Sequence, residues 1–193
     1  MAAGVVIVGV GALGSHLVLW ARNWPARIKI VDYDRVEQKN LLAQFHTRMG
    51  LGKNKAQALQ QAMQGMFGTR LEAVPHRLSE DNAEVLLGGG DLVVDCTDNA
   101  ATRRVIQVSV RRLGLPCVHG ALSADGGFAR VVWDELFVVD EEGSEGAATC
   151  ENGEALAFFA LAAAHLAGAV QRFLATGERR SCQITPTTVT RIA

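Results

Sequence analysis

Residues 4–14 read Gly-Val-Val-Ile-Val-Gly-Val-Gly-Ala-Leu-Gly, an apolar run that breaks into a Gly-x-Gly-x-x-Gly turn. The run suits a strand buried on both faces. Gly9, Gly11 and Gly14 allow a tight turn, close backbone approach to a ligand and close packing of the helix that follows. Unpaired N–H groups at the start of that helix attract phosphate. A second apolar run, Ile28-Lys29-Ile30-Val31, ends in Asp32, eighteen residues beyond Gly14, where a carboxylate can accept from ribose hydroxyls. The chain therefore opens as a β-α-β nucleotide cradle. This opening alone also suits a nicotinamide-dependent oxidoreductase.

Alternation of strand and helix signals continues downstream. A polar connection from Tyr33 to Met49 leads to a helix expected from about Lys53 to Met66, then a short strand at Leu71–Val74. Ser79 is placed to cap a short helix that runs to Leu87 and stops at Gly88-Gly89-Gly90. Asp91–Asp95 reads as a buried strand, Ala100–Leu113 as a helix and Pro116–His119 as the next strand. Phe128–Trp133 and Leu136–Val139 are expected to form an antiparallel pair. An acidic loop at Asp140–Ala148 precedes a long apolar helix from Asn152 to Ala175, and Cys182–Ile192 closes the chain as a strand whose Pro186 favours an edge or a bulge. The expected fold is α/β and Rossmann-like: a largely parallel mixed sheet with an antiparallel C-terminal extension.

Bulk properties narrow the partners. The 193 residues, 49% hydrophobic, suffice for one domain spanning 1–193. A net charge of −1 gives no electrostatic footprint for nucleic acid or for an anionic membrane. Leu156–Ala169 is the longest apolar stretch and His165 interrupts it; with no presequence ahead of the first strand, a cytoplasmic location is expected. Cys96, Cys117, Cys150 and Cys182 are widely spaced and contain no Cys-x-x-Cys pair, so no zinc is expected. Cys96 and Cys117, each beside an apolar strand, read as packing residues.

The oxidoreductase reading gives no task to Lys55, Asp98 or the segment Asn40-Leu41-Leu42-Ala43-Gln44. Taken in order, the Gly-rich turn, Asp32-x-Asp34, Asn40–Gln44, Gly52-x-x-Lys55 and Asp95-Cys96-Thr97-Asp98-Asn99 resemble the ThiF/MoeB family, whose fold ubiquitin-activating enzymes share. The resemblance covers roughly residues 4–133 and resumes from Cys150 through the long helix.

The resemblance implies an adenylyltransferase that uses ATP and Mg²⁺ on a carboxylate, commonly the C-terminal glycine of a small ubiquitin-like or sulfur-carrier protein. It implies phosphates at Gly9, Gly11 and Gly14, and ribose at Asp32. Lys55 would neutralise the triphosphate, Asp98 would hold the metal, and Asn40 and Gln44 would orient the reacting centre. Asp34 and Asn99 would support that shell. Cys150 falls where relatives that form a covalent sulfur link place a cysteine, with a structural free thiol as the alternative. The family's arginine before the glutamine is Ala43 here; Lys39, Arg48, Lys53 or a partner chain are the alternative sources of that charge. A homodimer or heterodimer is implied. Besides the enzyme, two readings stay open: a catalytically weak nucleotide-binding subunit that pairs with an active homologue, and an NAD-dependent oxidoreductase.

Overall fold

In the computed structural model, residues 2–123, 126–139 and 153–192 are described, and the chain is organised around one eight-stranded sheet in the order β3-β2-β1-β4-β5-β6-β7-β8. β1 (Ala3–Val8) pairs in parallel with β2 (Ala26–Val31) and with β4 (Leu92–Asp95). β2 pairs with β3 (Glu72–Val74), and β4 with β5 (Cys117–Leu122), also in parallel. β6 (Ala129–Trp133), β7 (Ser181–Ile184) and β8 (Val189–Ile192) add antiparallel strands to the β5 edge. The central strand shows why the sheet sits inside: Val5 and Ile7 join one core, Val6 and Val8 the other, and all four are at most 3% exposed.

One core carries α1 (Ala12–Ala21), α2 (Lys55–Phe67) and α5 (Leu156–Thr176); Leu13, Leu17, Leu59, Met63, Phe159 and Leu166 fill it. α3 (Ala83–Leu87) and α4 (Ala100–Leu113) cover the opposite face through Leu87, Ile106 and Val110. α5 is long and apolar enough to cross a membrane by composition. Its buried row Phe159, Ala162, Ala163, Leu166 and Val170 lies in the core shared with α1, and 39% of the apolar window is buried inside the protein.

Several sequence expectations change at the boundaries. Leu136–Val139 forms no strand with Phe128–Trp133. Instead the chain turns at Asp134–Leu136, with the Leu136 and Phe137 amides donating to the Trp133 and Asp134 carbonyls, and β6 is paired on both sides by β5 and β7. The C-terminal strand is a hairpin, and Pro186 sits in its turn, where its missing N–H costs no ladder bond. α3 begins at Ala83 rather than at Ser79, because the Asn82 side chain takes the Ser79 amide and closes a turn ahead of the helix. α2 starts at Lys55, capped by Asn54, whose Oδ1 accepts the Gln57 amide 3.1 Å away. The long helix begins at Leu156 within the described residues.

Candidate functional site

The register of the parallel strands brings the carboxyl ends of β1, β2 and β4 together, since Val8 pairs with both Val31 and Asp95. That edge is where open α/β sheets bind ligands. Gly9, at φ +86°, turns the chain there; a Cβ on it would come within 2.9 Å of the Cys96 carbonyl oxygen. A Cβ on Gly14 would overlap the Gly9 carbonyl, so α1 can start this close to the turn only on glycine. Gly11 differs, because a Cβ there would meet nothing within 4 Å. The turn is packed on the protein side and open at Gly11, which fits a cradle for phosphate at the α1 N-terminus.

Asp32 latches this turn. Its Oδ2 accepts the Val10 amide at 2.8 Å and its Oδ1 the Asp34 amide at 2.9 Å. Each carboxylate oxygen has a second lone pair for an incoming hydroxyl. Burial pushes the Asp32 pKa up, against the lowering effect of the Val10 amide, Lys55 and the Asp34 amide. Asn54, which sequence reasoning passed over, binds the same corner: its Nδ2 donates to the Asp32 carbonyl at 2.8 Å and to the Asp34 carbonyl at 3.2 Å. Lys55, only 8% exposed, places Nζ 3.1 Å from Asp34 Oδ2. Asp34 is thus the counter-ion of Lys55 in this state.

Asn40 is buried in a short 3₁₀ turn, Gln38–Leu42, and its side chain closes a capping box with Glu37, accepting the Glu37 amide at 2.8 Å. Its backbone carbonyl accepts the Gln44 amide. Two polar atoms here are buried without partners: Gln44 Oε1 and His46 Nδ1. The other His46 nitrogen, Nε2, lies 3.0 Å from the Val10 carbonyl, which can only accept, so Nε2 carries the proton and Nδ1 presents a lone pair. Burial pulls the His46 pKa down to about 4, and Lys55 and His16 add to this, so the ring is neutral at pH 7. Buried acceptors without donors are costly unless a ligand or water supplies a hydrogen.

Ala43 is wholly buried in the main core, and its carbonyl faces His16 Nε2 at 3.2 Å. The Phe45 amide donates to Ser15 Oγ at 2.8 Å. Ser15 and His16, fully or nearly buried on the apolar helix α1, fasten the Ala43–Phe45 segment beside the Gly-rich turn. Their signal in the sequence is the polar pair inside an apolar helix. Lys39 lies 3.5 Å from Glu37, Lys53 donates to Gln61 at 2.9 Å, and Arg48 is exposed on a 3₁₀ turn.

On the β4 side, Asp98 is exposed just past the strand end, and Asn99 caps α4 by accepting the Thr102 amide at 2.8 Å. Among the described residues no group of three or more His, Cys, Asp or Glu side chains forms a metal cluster. A lone carboxylate beside a phosphate cradle fits Mg²⁺, which is commonly held by one or two carboxylates plus substrate phosphates. Cys96 and Cys117 are buried free thiols whose pKa values burial raises well above normal, consistent with packing. Cys150 lies outside the described residues.

A fully paired network lies behind Asp95 and was not read from the sequence. His119 places Nδ1 2.8 Å from Asp95 Oδ2 and Nε2 3.2 Å from Asp134 Oδ1. Arg111 Nε donates to Asp134 Oδ2 at 2.7 Å and Gln107 to Asp134 Oδ1 at 3.0 Å. The Phe137 ring stacks on His119, 3.9 Å away and 5° from parallel. No linear motif unites residues on four separate elements.

This architecture, a mixed α/β sheet with a Gly-rich turn at the parallel strand ends, is that of the ThiF fold. The ThiF family profile matches residues 1–186, and the chain belongs to that family. It is 38% identical over 123 residues to the sulfur carrier protein adenylyltransferase of Thermus thermophilus, covering 62% of this chain and 45% of that protein. It is 34% identical over 121 residues to the SAMP-activating enzyme E1 of Haloferax volcanii, covering 61% and 45%. The chain therefore matches less than half the length of these relatives. Among solved structures, E. coli MccB crystallised with AMPCPP and MccA superposes with a TM-score of 0.77 at 17% identity, over 98% of this chain and 62% of that one. That likeness speaks for the fold.

Proposed function

We propose that this domain adenylates a carboxylate, the C-terminal glycine of a small ubiquitin-like or sulfur-carrier protein, using ATP. The observation that carries the reading is the juxtaposition of an open phosphate cradle at Gly11, the carboxylate of Asp32 and the buried lysine Lys55 on one strand edge, beside Asp98. The names of the relatives support it: one is a sulfur carrier protein adenylyltransferase, another an activating enzyme.

In the reaction, a carboxylate oxygen of the carrier attacks the α-phosphorus of ATP; the new O–P bond forms as the bond to the bridging oxygen breaks, and pyrophosphate leaves with that electron pair. The chain's contribution is position and charge. The amides at Gly9–Gly14 hold phosphate, Asp32 accepts from the ribose, and Lys55 turns from Asp34 to the phosphates as negative charge collects there. Asp98 would hold Mg²⁺, which supplies charge neutralisation at the phosphates. Gln44 Oε1 and His46 Nδ1, both short of donors, face the need for hydrogens that an arriving ligand or partner chain meets. Asn40 and Asn99 act by holding their loops, and Cys150 is the candidate thiol for any covalent carrier link. The exposed Leu42, Met49 and Leu51 near the site support a homo- or heterodimer, and a cytoplasmic location belongs to the same proposal.

One observation favours a second reading. The family's arginine position, Ala43, is sealed in the core, so an arginine placed there would have to displace neighbours, and simple restoration by Ala43→Arg is not expected to raise activity. Positive charge then comes from elsewhere, or the domain is a nucleotide-binding subunit of low activity.

ATP–pyrophosphate exchange, measured with carriers ending in Gly-Gly, tests the proposal. Exchange in wild type, reduced about a hundredfold in Lys55→Ala while ATP still binds in calorimetry, is the expected result. ATP binding without exchange, alone or with homologues, would leave the binding subunit, and tight NAD binding without ATP binding would leave the oxidoreductase.

A further inference from the structure

Asp95 ends the central parallel strand, fully buried, and its two oxygens have separate tasks. Oδ1 accepts the Thr97 amide at 2.8 Å and the Thr97 hydroxyl at 2.7 Å. Oδ2 faces His119, its neighbour in the β4–β5 register. Thr97 is held from the other side as well, because its carbonyl accepts both Nε and Nη2 of Arg103 from α4, at 3.1 and 2.6 Å. The Cys96–Thr97 backbone is in turn the surface against which Gly9 packs. The corner that presents Asp98 is therefore fastened to the sheet, to α4 and to the Gly-rich turn.

Behind it, charges alternate from the surface inward: Arg111, Asp134, His119, Asp95. Each His119 nitrogen faces a carboxylate oxygen, so a neutral ring would set one lone pair against an anion; only the imidazolium donates at both ends. Burial of the ring opposes its charge, and the hydrogen bonds and attraction of Asp134 and Asp95 outweigh that, leaving the His119 pKa raised. Asp134 is drawn down to about 2: burial opposes its ionisation, and the donors His119, Arg111 and Gln107 outweigh that opposition. The packed Phe137 ring fixes the imidazole plane.

We propose that the chain Arg111–Asp134–His119–Asp95 is a positioning relay for the Thr97–Asp98 corner, with His119 as the positioning residue that holds this corner in register with the Gly-rich turn without touching nucleotide. The relay rests on the adenylation reading for its effect on rate, and on geometry alone for its effect on the corner. A glutamine at 119 keeps a polar side chain but carries no positive charge and has its N–H donors at one end only, so it does not reproduce a donor toward each carboxylate; Asp95 loses its outer anchor and the Thr97 hydrogen bonds loosen.

The test uses the whole protein and His119→Gln, with Arg111→Gln as a second variant at the exposed end in case the first fails to fold. A core variant of the α4 face, Val110→Ala, serves as a stability control. For exchange, kcat should fall about tenfold or more in His119→Gln, as for other residues that orient a ligand-bearing group, with the KM for ATP little changed. Arg111→Gln should fall less in the same direction, and Val110→Ala should lose stability without losing kcat. Independently of activity, nitrogen NMR of the wild-type ring should show both His119 nitrogens protonated at pH 7, and hydrogen exchange should show faster opening of the Thr97 amide in the folded glutamine variants. Wild-type kcat in both variants, a wild-type ring with one bare nitrogen, or unchanged Thr97 protection overturns the relay. Absence of exchange in the wild type alone counts against the adenylation reading, while the ring and amide measurements still decide the relay.

Discussion

The two flanks of the Gly-rich turn each bury a histidine, and the two rings have opposite surroundings. On the β2 side, His46 has one neutral carbonyl partner and a bare Nδ1, near an equally bare Gln44 oxygen and a lysine whose counter-ion Asp34 is half exposed. On the β4–β5 side, His119 sits between two carboxylates, each with further donors of its own. Burial depresses the pKa of both rings; only the neighbours differ, and they decide the sign. The contrast separates two kinds of buried polarity. On one side two buried polar atoms lack a partner among the described residues, and on the other both ring nitrogens and both carboxylates are paired.

The largest expected difference between the flanks is in stability. His119→Leu leaves Asp95 buried without its cation and should cost about 3–5 kcal/mol in urea unfolding, the range for breaking one partner out of a buried pair. Lys55→Met, by contrast, removes a bridge to the half-exposed Asp34 and should cost under about 1 kcal/mol even though exchange is nearly lost. Comparable losses for the two variants would erase the distinction between frame and ligand site.

Next in size is the dependence of stability on pH, where the flanks should carry opposite slopes. The folded pKa of His46, about 4, lies below its usual 6.5, so its contribution is complete above pH 6.5 and is lost as pH falls from 6.5 to 4; the full swing is about 3 kcal/mol. The raised pKa of His119 works the other way: its contribution is complete below pH 6.5 and is lost as pH rises through the folded value. Denaturation midpoints measured across pH should therefore lose their acid limb in His46→Gln and their alkaline limb in His119→Gln. Both limbs surviving in both variants would show that other groups set the profile.

The smallest effect concerns the two helix caps. Asn54 caps α2 and Asn99 caps α4 through the same bond, an Oδ1 accepting the amide three residues on. Removing either cap with alanine should cost about 1 kcal/mol. Asn54→Ala should cost more if its Nδ2 bonds to the Asp32 and Asp34 carbonyls add to the cap, and equal losses would show that these bonds contribute little.

The parallel half of the fold was open to reading because its signals are local. A run such as Val5–Val8 cannot be half exposed without cost, Gly9 and Gly14 stand where only glycine fits, and the Gly-x-Gly-x-x-Gly spacing belongs to one turn. The strand pairing after Phe128 was misread because antiparallel partners are chosen across the sheet: β6 finds β5 and β7 while Leu136–Val139, next in sequence, turns away. Likewise Asp32 and Lys55 could be singled out by their place in an ordered motif, and nothing in sequence order says that Lys55 rests on Asp34 or that Ala43 is sealed.

By itself the sequence determined the Gly-rich turn and the strand-helix alternation, since both follow from periodicity and from glycine's freedom within a dozen neighbouring residues. Only the tertiary structure decided the direction in which each buried histidine's pKa moves, because a pKa answers to what lies within a few ångströms. For His119 those groups are brought from Asp95, 24 residues away, and Asp134, 15 away, by strand register and a turn that no local pattern encodes.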